Sequence, residues 1–248
     1  MVVYDESETQ LWYVEPVHIP AGASLSDALN GIDAEYVVLD GDIYRTDTTI
    51  NVEGLRNVTI VGAGGGTQIL ADNSTEIVLN FKNCENITLQ NIVIGHDPAL
   101  VEPGSCTSGV LYFQNSNVTL TGCDLFGCGT NGFIAIGGEI HMERSVIRDC
   151  SQMILALNAC KASFIDCTFS GNGYYDPNPN AIWLSQYGSI MWLTPENEWG
   201  QQDFDVPFEA SFRNCAFTDN ENPALYGTNG DVTVNFEDCT FSGNTWGD

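Results

Sequence analysis

The stretch ASFIDCTFSGN (162–172) returns as ASFRNCAFTDN (210–220) and again as VNFEDCTFSGN (234–244). In every copy an aromatic is followed three residues later by a cysteine, then after one variable residue by a second aromatic, and three places on by an asparagine. This short repeat constrains the fold more than any other feature of the chain. One copy cannot bury its own apolar residues, so the copies must stack and share a core.

The last inward residue of the strand ahead of the cysteine serves as an anchor, and it carries the repeat back along the chain. The anchors are Ile60, Leu89, Leu120, Met142, Phe164, Phe212 and Phe236. Two residues after them stand Gly62, Asn91, Gly122, Arg144, Asp166, Asn214 and Asp238. Arg144 apart, these types tolerate a left-handed backbone, which predicts a tight turn. The next column, Ala63, Ile92, Cys123, Ser145, Cys167, Cys215 and Cys239, is small or apolar. Two residues on come Ile94, Leu125, Ile147, Phe169, Phe217 and Phe241. Asn57, Asn86 and Asn117, three residues before their anchors, form a second turn column. Cys128, Cys150, Asn172, Asn220 and Asn244, eight residues after theirs, form a third. Each unit then has another strand: GVLYF, GFIAI, MILAL, AIWL or PALY.

Each unit therefore holds three short strands and three turns. Coiling stacks like residue on like residue, about 4.8 Å apart, the spacing of hydrogen-bonded strands. Cys123, Cys167, Cys215 and Cys239 then share an inward column with Ile92 and Ser145, which makes the repeated cysteine a small packing residue. Cys128 and Cys150 stack in a turn column, but with parallel side chains, a poor geometry for a disulfide. Cys84, Cys106 and Cys160 fall in no column.

This pattern resembles the parallel β-helix repeat of the pectate-lyase-like superfamily, and it covers the chain from about Tyr36 to its end. The resemblance implies an all-β, right-handed parallel β-helix solenoid of about eight coils. It also implies a helix over the open end of the first coil. SLSDALNGI (24–32) fits, with a serine ahead of Leu25, Ala28, Leu29 and Ile32 on one helical face. The expected organisation is a lead-in and capping helix over 1–35 and the solenoid over 36–248, with a large loop insertion at about 185–208. No amphipathic helix follows Asn244. The last coil is therefore expected to leave Phe236, Cys239 and Phe241 uncovered, to be met by further coils or by an end-to-end contact with another chain, with Trp246 as a partial lid.

The charge balance is 33 acidic against 7 basic residues, a net −26. Such a surface repels nucleic acid and anionic membranes, and it disfavours acidic polysaccharides unless cations bridge them. The plain reading is a solvated acidic surface; calcium binding and adaptation to salt are the alternatives, and calcium is the only cofactor the composition brings forward. No apolar run approaches the length of a membrane span. The start, MVVYDESETQLWYVEP, lacks the basic and apolar segments of a secretory signal. Nine cysteines include no C-x-x-C pair, and His18, His96 and His141 make no metal pattern, so no metal residue is expected.

The resemblance implies that the loops wall a groove over the strand matched to GFIAI. Insertions at 95–109, 173–180 and 185–208 obey that rule, and function concentrates on such loops. They hold Tyr174, Tyr187, Phe204, Phe208, Glu196, Glu198 and Asp205 among other aromatics and carboxylates. The residues expected to contact a ligand are Tyr175, Asp176, Trp183, Trp192, Trp199 and Asp203. Aromatic faces beside carboxylates suit neutral sugars. The competing reading gives the aromatics to a small core beneath the large loop.

Catalysis has less behind it. Polygalacturonase-like hydrolases of this fold carry an aspartate-bearing motif before the groove strand, and GTNGFIAI (129–136) resembles it, with Asn131 in the aspartate's place. An amide cannot serve as general acid or base. GHD (95–97) is only superficially similar to the histidine motif of those enzymes. Pectate-lyase chemistry needs an arginine or lysine base beside calcium; Lys82 and Lys161, expected in the loop-bearing turn, are the candidates. The leading expectation is an extracellular or cell-surface module that contacts a polysaccharide or other glycan through its groove. A polysaccharide lyase or glycoside hydrolase using loop carboxylates is one alternative, and a structural spacer is the other.

Overall fold

The computed structural model describes residues 2–4, 10–13, 15–72, 77–100, 109–127, 131–150, 153–173, 189–194, 208–221, 224–228 and 232–246. Successive turns of chain lay their strands on three parallel sheets. Sheet A contains Val17–Ile19, Tyr36–Leu39, Arg56–Gly62, Glu85–Gln90, the ends of Leu111–Thr121 and Asn131–Glu143, Lys161–Ile165, Glu209–Arg213 and Thr233–Glu237. Sheet B contains Ile43–Thr46, Thr67–Ala71, Ile92–His96, Asp124–Phe126, Val146–Arg148, Thr168–Ser170, Ala216–Thr218 and Thr240–Ser242. Sheet C contains Ile50–Glu53, Leu79–Lys82, the starts of the two long strands, Met153–Asn158, Ser189–Thr194 and Ala224–Thr228. The long strands pass from C to A by bending where Asn115 (φ 46°), Gly137 (φ 69°) and Gly138 (φ 78°) adopt left-handed backbone.

The register follows the anchors. Leu89 lies opposite Ile60 and Leu120, Met142 opposite Leu120 and Phe164, and Phe212 opposite Phe164 and Phe236. In sheet B, Ile94, Leu125, Ile147, Phe169, Phe217 and Phe241 are likewise in line. A one-residue slip would turn each set to solvent, so burial enforces this alignment. Phe164 and Phe212 stack at 4.7 Å between centroids, as do Phe169 and Phe217. Each such pair adds about 0.5–1.5 kcal/mol beyond its buried area.

The turn column behaves as its composition requires: Asn91, Gly122, Arg144, Asp166, Asn214 and Asp238 all have positive φ, Arg144 included at 46°. Gly62 departs from it, with φ −73°. A 3-10 turn, Ala63–Gly65, is inserted there, so Thr67 rather than Ala63 lies opposite Ile92. Asn57 and Asn86 are left-handed, and Asn86 Nδ2 donates to Asn57 Oδ1 at 2.9 Å. Asn117 is not a turn residue. It sits inside the strand Leu111–Thr121, with the left-handed residue moved to Asn115.

The third column forms a buried ladder. Asn172 Nδ2 donates to Asn220 Oδ1 (2.9 Å) and Asn220 Nδ2 to Asn244 Oδ1 (2.8 Å), while Cys150 N donates to Asn172 Oδ1 (3.0 Å). Cys150 is a free thiol; Cys128 and Cys106 lie outside the described residues.

The cysteine column is packing. Cys123, Cys167 and Cys215 are buried free thiols, and Cys239 in the last coil is half-buried. Each points its sulfur at a carbonyl of the preceding coil: Cys123 to Leu89 O (3.5 Å), Cys167 to Met142 O (3.4 Å), Cys215 to Phe164 O (3.5 Å). Ser145 occupies the column with its hydroxyl donating to Glu143 O at 2.8 Å and accepting from Cys123 N at 2.9 Å. Burial pushes the Cys123 thiol up to about 11 and the Cys160 thiol up to about 12. Cys167 and Cys215 interact directly, so ionising Cys215 keeps the Cys167 proton in place and pushes that thiol up. Cys84 and Cys160 are buried in the corner between sheets C and A, where Cys84 N donates to Ser116 Oγ at 3.0 Å.

The helix Leu25–Asn30 starts at Ser24, whose hydroxyl accepts from Asp27 N, and buries Leu25 and Leu29. It covers the edge strand Ile50–Glu53. Asn30 Nδ2 donates to Asn51 O, Asn30 Oδ1 accepts from Glu53 N, and Ser26 Oγ donates to Asn51 O. These side chains occupy backbone groups that an uncovered edge would leave open. At the other end Phe236, Cys239 and Phe241 are partly exposed, and Trp246 packs against the core.

A further placement differs from expectation. Ser189–Thr194, expected within the inserted loop, is a strand of sheet C, with Met191 opposite Leu155 and Tyr226. AIWL (181–184) lies outside the described residues.

Candidate functional site

Period-2 alternation sends every second residue of sheet C outward. Leu79, Phe81, Leu111, Phe113, Phe133, Ala135, Leu155 and Leu157 point into the core. Two outward rows remain. Register aligns Asn51, Asn80, Tyr112, Ile134 and Ala156 in the first, with Trp192 and Gly227 at the same register position in later coils. The second aligns Glu53, Lys82, Gln114, Ile136 and Asn158, with Thr194 at the same register position in the next coil.

These rows combine flat apolar surface with amides. Asn80 Nδ2 donates to Asn51 Oδ1 at 2.9 Å, but Asn80 Oδ1 is itself buried and finds no hydrogen-bond partner among the described residues. Asn158 Oδ1 is in the same condition. A buried unsatisfied acceptor costs about 1–3 kcal/mol, and native structures carry few of them. Both oxygens are turned away from solvent, beneath this face.

Charge on this face is slight. Lys82 Nζ lies 3.8 Å from Glu53 Oε1. Elsewhere Arg45, Arg56, Arg144 and Arg148 are also paired with carboxylates, so five of the seven basic residues are neutralised locally. Lys82 and Lys161 stand on strands rather than in the loop-bearing turn.

The corner between sheets B and C holds GHD (95–97). Its Asp97 is buried, accepts from Ala99 N at 2.8 Å and pairs with Arg45, which also donates to Asp72 Oδ1 at 2.7 Å. The Ala99 N–H and the Arg45 guanidinium hold the Asp97 carboxyl below the usual carboxylate range. This carboxylate ties three coils together and is taken up structurally. A cavity of about 420 Å³ beside it is lined by Ser24, Asp47, Thr48 and Asp72.

Among the residues expected to contact a ligand, Tyr175, Asp176, Trp183, Trp199 and Asp203 lie outside the described residues. Trp192 is on the strand Ser189–Thr194, its backbone in register with Ala156. Phe208, counted among the loop aromatics, is a core residue. Asn80, Tyr112, Gln114 and Asn158 went unnoticed in the sequence, although the alternation of their strands marked them as outward. Asn131 begins the strand Asn131–Glu143, in register with Met153. Among the described residues no cluster of three or more His, Cys, Asp or Glu could hold a metal ion.

Residues 43–198 and 80–247 match the model of the right-handed β-helix region. No curated protein matches the chain in sequence. Among solved structures, the pectin methylesterase of Aspergillus niger is 12% identical with a TM-score of 0.51, over 91% of this chain and 85% of that one. Jun a 1, the major allergen of cedar pollen, is 11% identical with a TM-score of 0.44, over 92% and 78%. The alginate lyase of Paenibacillus sp. is 10% identical with a TM-score of 0.37, over 92% and 98%. At such identities the likeness is one of fold.

Proposed function

The chain belongs to the right-handed β-helix family, and on that premise we propose that it binds a neutral polysaccharide, outside the cell or at its surface, along the outward face of sheet C. The observation that carries this reading is the outward surface of sheet C, where Tyr112, Ile134 and Ile136 stand in register with the amides Asn51, Asn80, Gln114 and Asn158. Sugar hydroxyls suit the amides of the two rows, and sugar C–H faces suit the apolar surface between them. A net charge of −26, with most basic residues already paired, opposes a polyanionic chain. The fold hosts several chemistries, so it does not choose among them. The pectin methylesterase among its structural neighbours is named for a carbohydrate substrate.

Affinity electrophoresis against neutral glucans, xylan and mannan, with polygalacturonate and alginate alongside, tests the reading. Retardation by a neutral polymer is expected, weakened at least tenfold by Tyr112→Ala with Asn158→Ala. Retardation by the polyanions alone, or binding unchanged in the double variant, overturns it. Reducing ends or unsaturated products released during the assay would move the reading to a hydrolase or lyase.

A further inference from the structure

Sheet A carries a second constellation, on a different face from the groove. Thr119, His141, Ser163 and Ser211 stand in register along its outward side. The Ser163 hydroxyl lies 2.6 Å from His141 Nδ1. Across the ring, His141 Nε2 is 3.7 Å from Glu143 Oε2, and the other carboxylate oxygen of Glu143 is held by Arg144. A proton on Nε2 faces that carboxylate, which leaves Nδ1 as the acceptor for the serine proton. A cavity of about 150 Å³ opens at Ser163, lined by Glu139, Lys161, Glu209 and Ser211. Lys161 precedes Ser163 by two residues on the same strand, so both face outward.

We propose that Ser163, His141 and Glu143 act as nucleophile, base and positioning carboxylate in the cleavage of short-chain carboxylic esters. The chemistry requires a hydroxyl within hydrogen-bond reach of a base that a third group orients, and the three residues supply that order. Ser163 Oγ bonds to the ester carbonyl carbon as its proton passes to His141 Nδ1, and the carbonyl electron pair moves onto oxygen. Collapse restores the C=O and breaks the bond to the alkoxy oxygen, which takes the proton from Nδ1 and leaves as the alcohol. Water then gives a proton to Nδ1 and attacks the acyl-serine. The carboxylic acid departs, the proton returns to Ser163 Oγ, and the net reaction is ester plus water to alcohol plus acid.

The backbone of Ser163 is committed to strands on both sides, at His141 and at Ser211, so a backbone oxyanion hole is not on offer. The Lys161 ammonium is the cation placed to meet the oxyanion. The small cavity limits the acyl group to a short one, and Glu139 and Glu209 on its wall disfavour a charged one.

The test treats the whole chain with p-nitrophenyl acetate and, separately, with a fluorophosphonate probe, and maps the adduct by mass spectrometry. A label on Ser163 is expected. Ser163→Ala should abolish labelling and bring hydrolysis to the background of the buffer. His141→Gln should lower turnover about 10²–10⁴-fold, the range of general-base catalysis. Glu143→Gln should lower it less and shift its pH profile, which a merely structural carboxylate would not do. Thr88→Ala, two coils from His141 on the same row, should keep the wild-type rate. Wild-type hydrolysis by a folded Ser163→Ala protein, or a native chain that the probe leaves unmodified at Ser163, would overturn the proposal.

Discussion

Asn220→Ala removes one rung of the asparagine ladder, and its cost can be worked from the contacts. The side chain is fully buried. Its Oδ1 accepts from Asn172 N (3.2 Å) and Asn172 Nδ2 (2.9 Å), and its Nδ2 donates to Phe169 O (3.0 Å) and Asn244 Oδ1 (2.8 Å). Four hydrogen bonds at about 1 kcal/mol net each give about 4 kcal/mol. The left-handed residue in this turn is the neighbour, Asp219 at φ 54°, so alanine at 220 adds no backbone strain. Asn220→Asp keeps the shape but turns an oxygen toward Phe169 O and Asn244 Oδ1 and buries a charge, so it should cost at least as much. Denaturant unfolding followed by circular dichroism measures the loss. Because coils of a solenoid can unfold separately, amide exchange across 164–172 and 212–220 should report the same loosening. A loss below about 1 kcal/mol would refute the reasoning, since it would mean that water or local relaxation replaces the ladder.

The thiol column should tolerate a hydroxyl. Cys215→Ser can donate to Arg213 O, 3.4 Å from the present sulfur, as Ser145 donates to Glu143 O, so a cost of about 1 kcal/mol is expected, measured by denaturation. In the native state a thiol reagent should label Cys239 well before Cys123, Cys167 or Cys215; simultaneous labelling would contradict the inward stack. Asp97 has a depressed pKa, so the stability it contributes is present above the unfolded carboxylate value of about 3.9 and is lost as pH falls through the folded value. The melting-temperature difference between wild type and Arg45→Met should therefore be largest near neutral pH and vanish in strong acid; a difference independent of pH counts against the pairing. Gly138→Ala should be worse than Gly137→Ala by thermal melting. Both have positive φ, but a Cβ at 138 would lie 2.2 Å from the backbone oxygen of Ser116, whereas at 137 the contact is the side-chain Oδ1 of Asn115.

Sheets A and B were legible in the sequence because each layer repeats one requirement, an apolar residue inside and a left-handed residue at the next corner. Ile94, Leu125, Ile147, Phe169, Phe217 and Phe241 could be aligned by counting alone, and the structure keeps that alignment. Arg144 shows how far the repeat prevails over residue preference, since it takes the left-handed turn that its neighbours in the column dictate. Counting failed where the chain adds residues without changing its pattern. The inserted turn Ala63–Gly65 moves the column to Thr67, and a bend at Asn115 frees Asn117 to continue a strand.

The sites needed the third dimension. SIMWLT is a short apolar stretch, and nothing local marks it as a strand of sheet C instead of part of an insertion. Pairing with Met153–Asn158 on one side and Ala224–Thr228 on the other places Ser189–Thr194 in the sheet. Asn80 and Asn158 read as ordinary polar positions, because whether an amide oxygen finds a donor depends on neighbours from other coils. Ser163 and His141 are 22 residues apart in the chain, one coil, and 2.6 Å apart in space. Local spacing by itself determined the coil, since steric and hydrophobic requirements act within a few residues. Which side chains meet across coils was decided only by the tertiary structure, because hydrogen bonding between strands aligns residues that the chain keeps far apart.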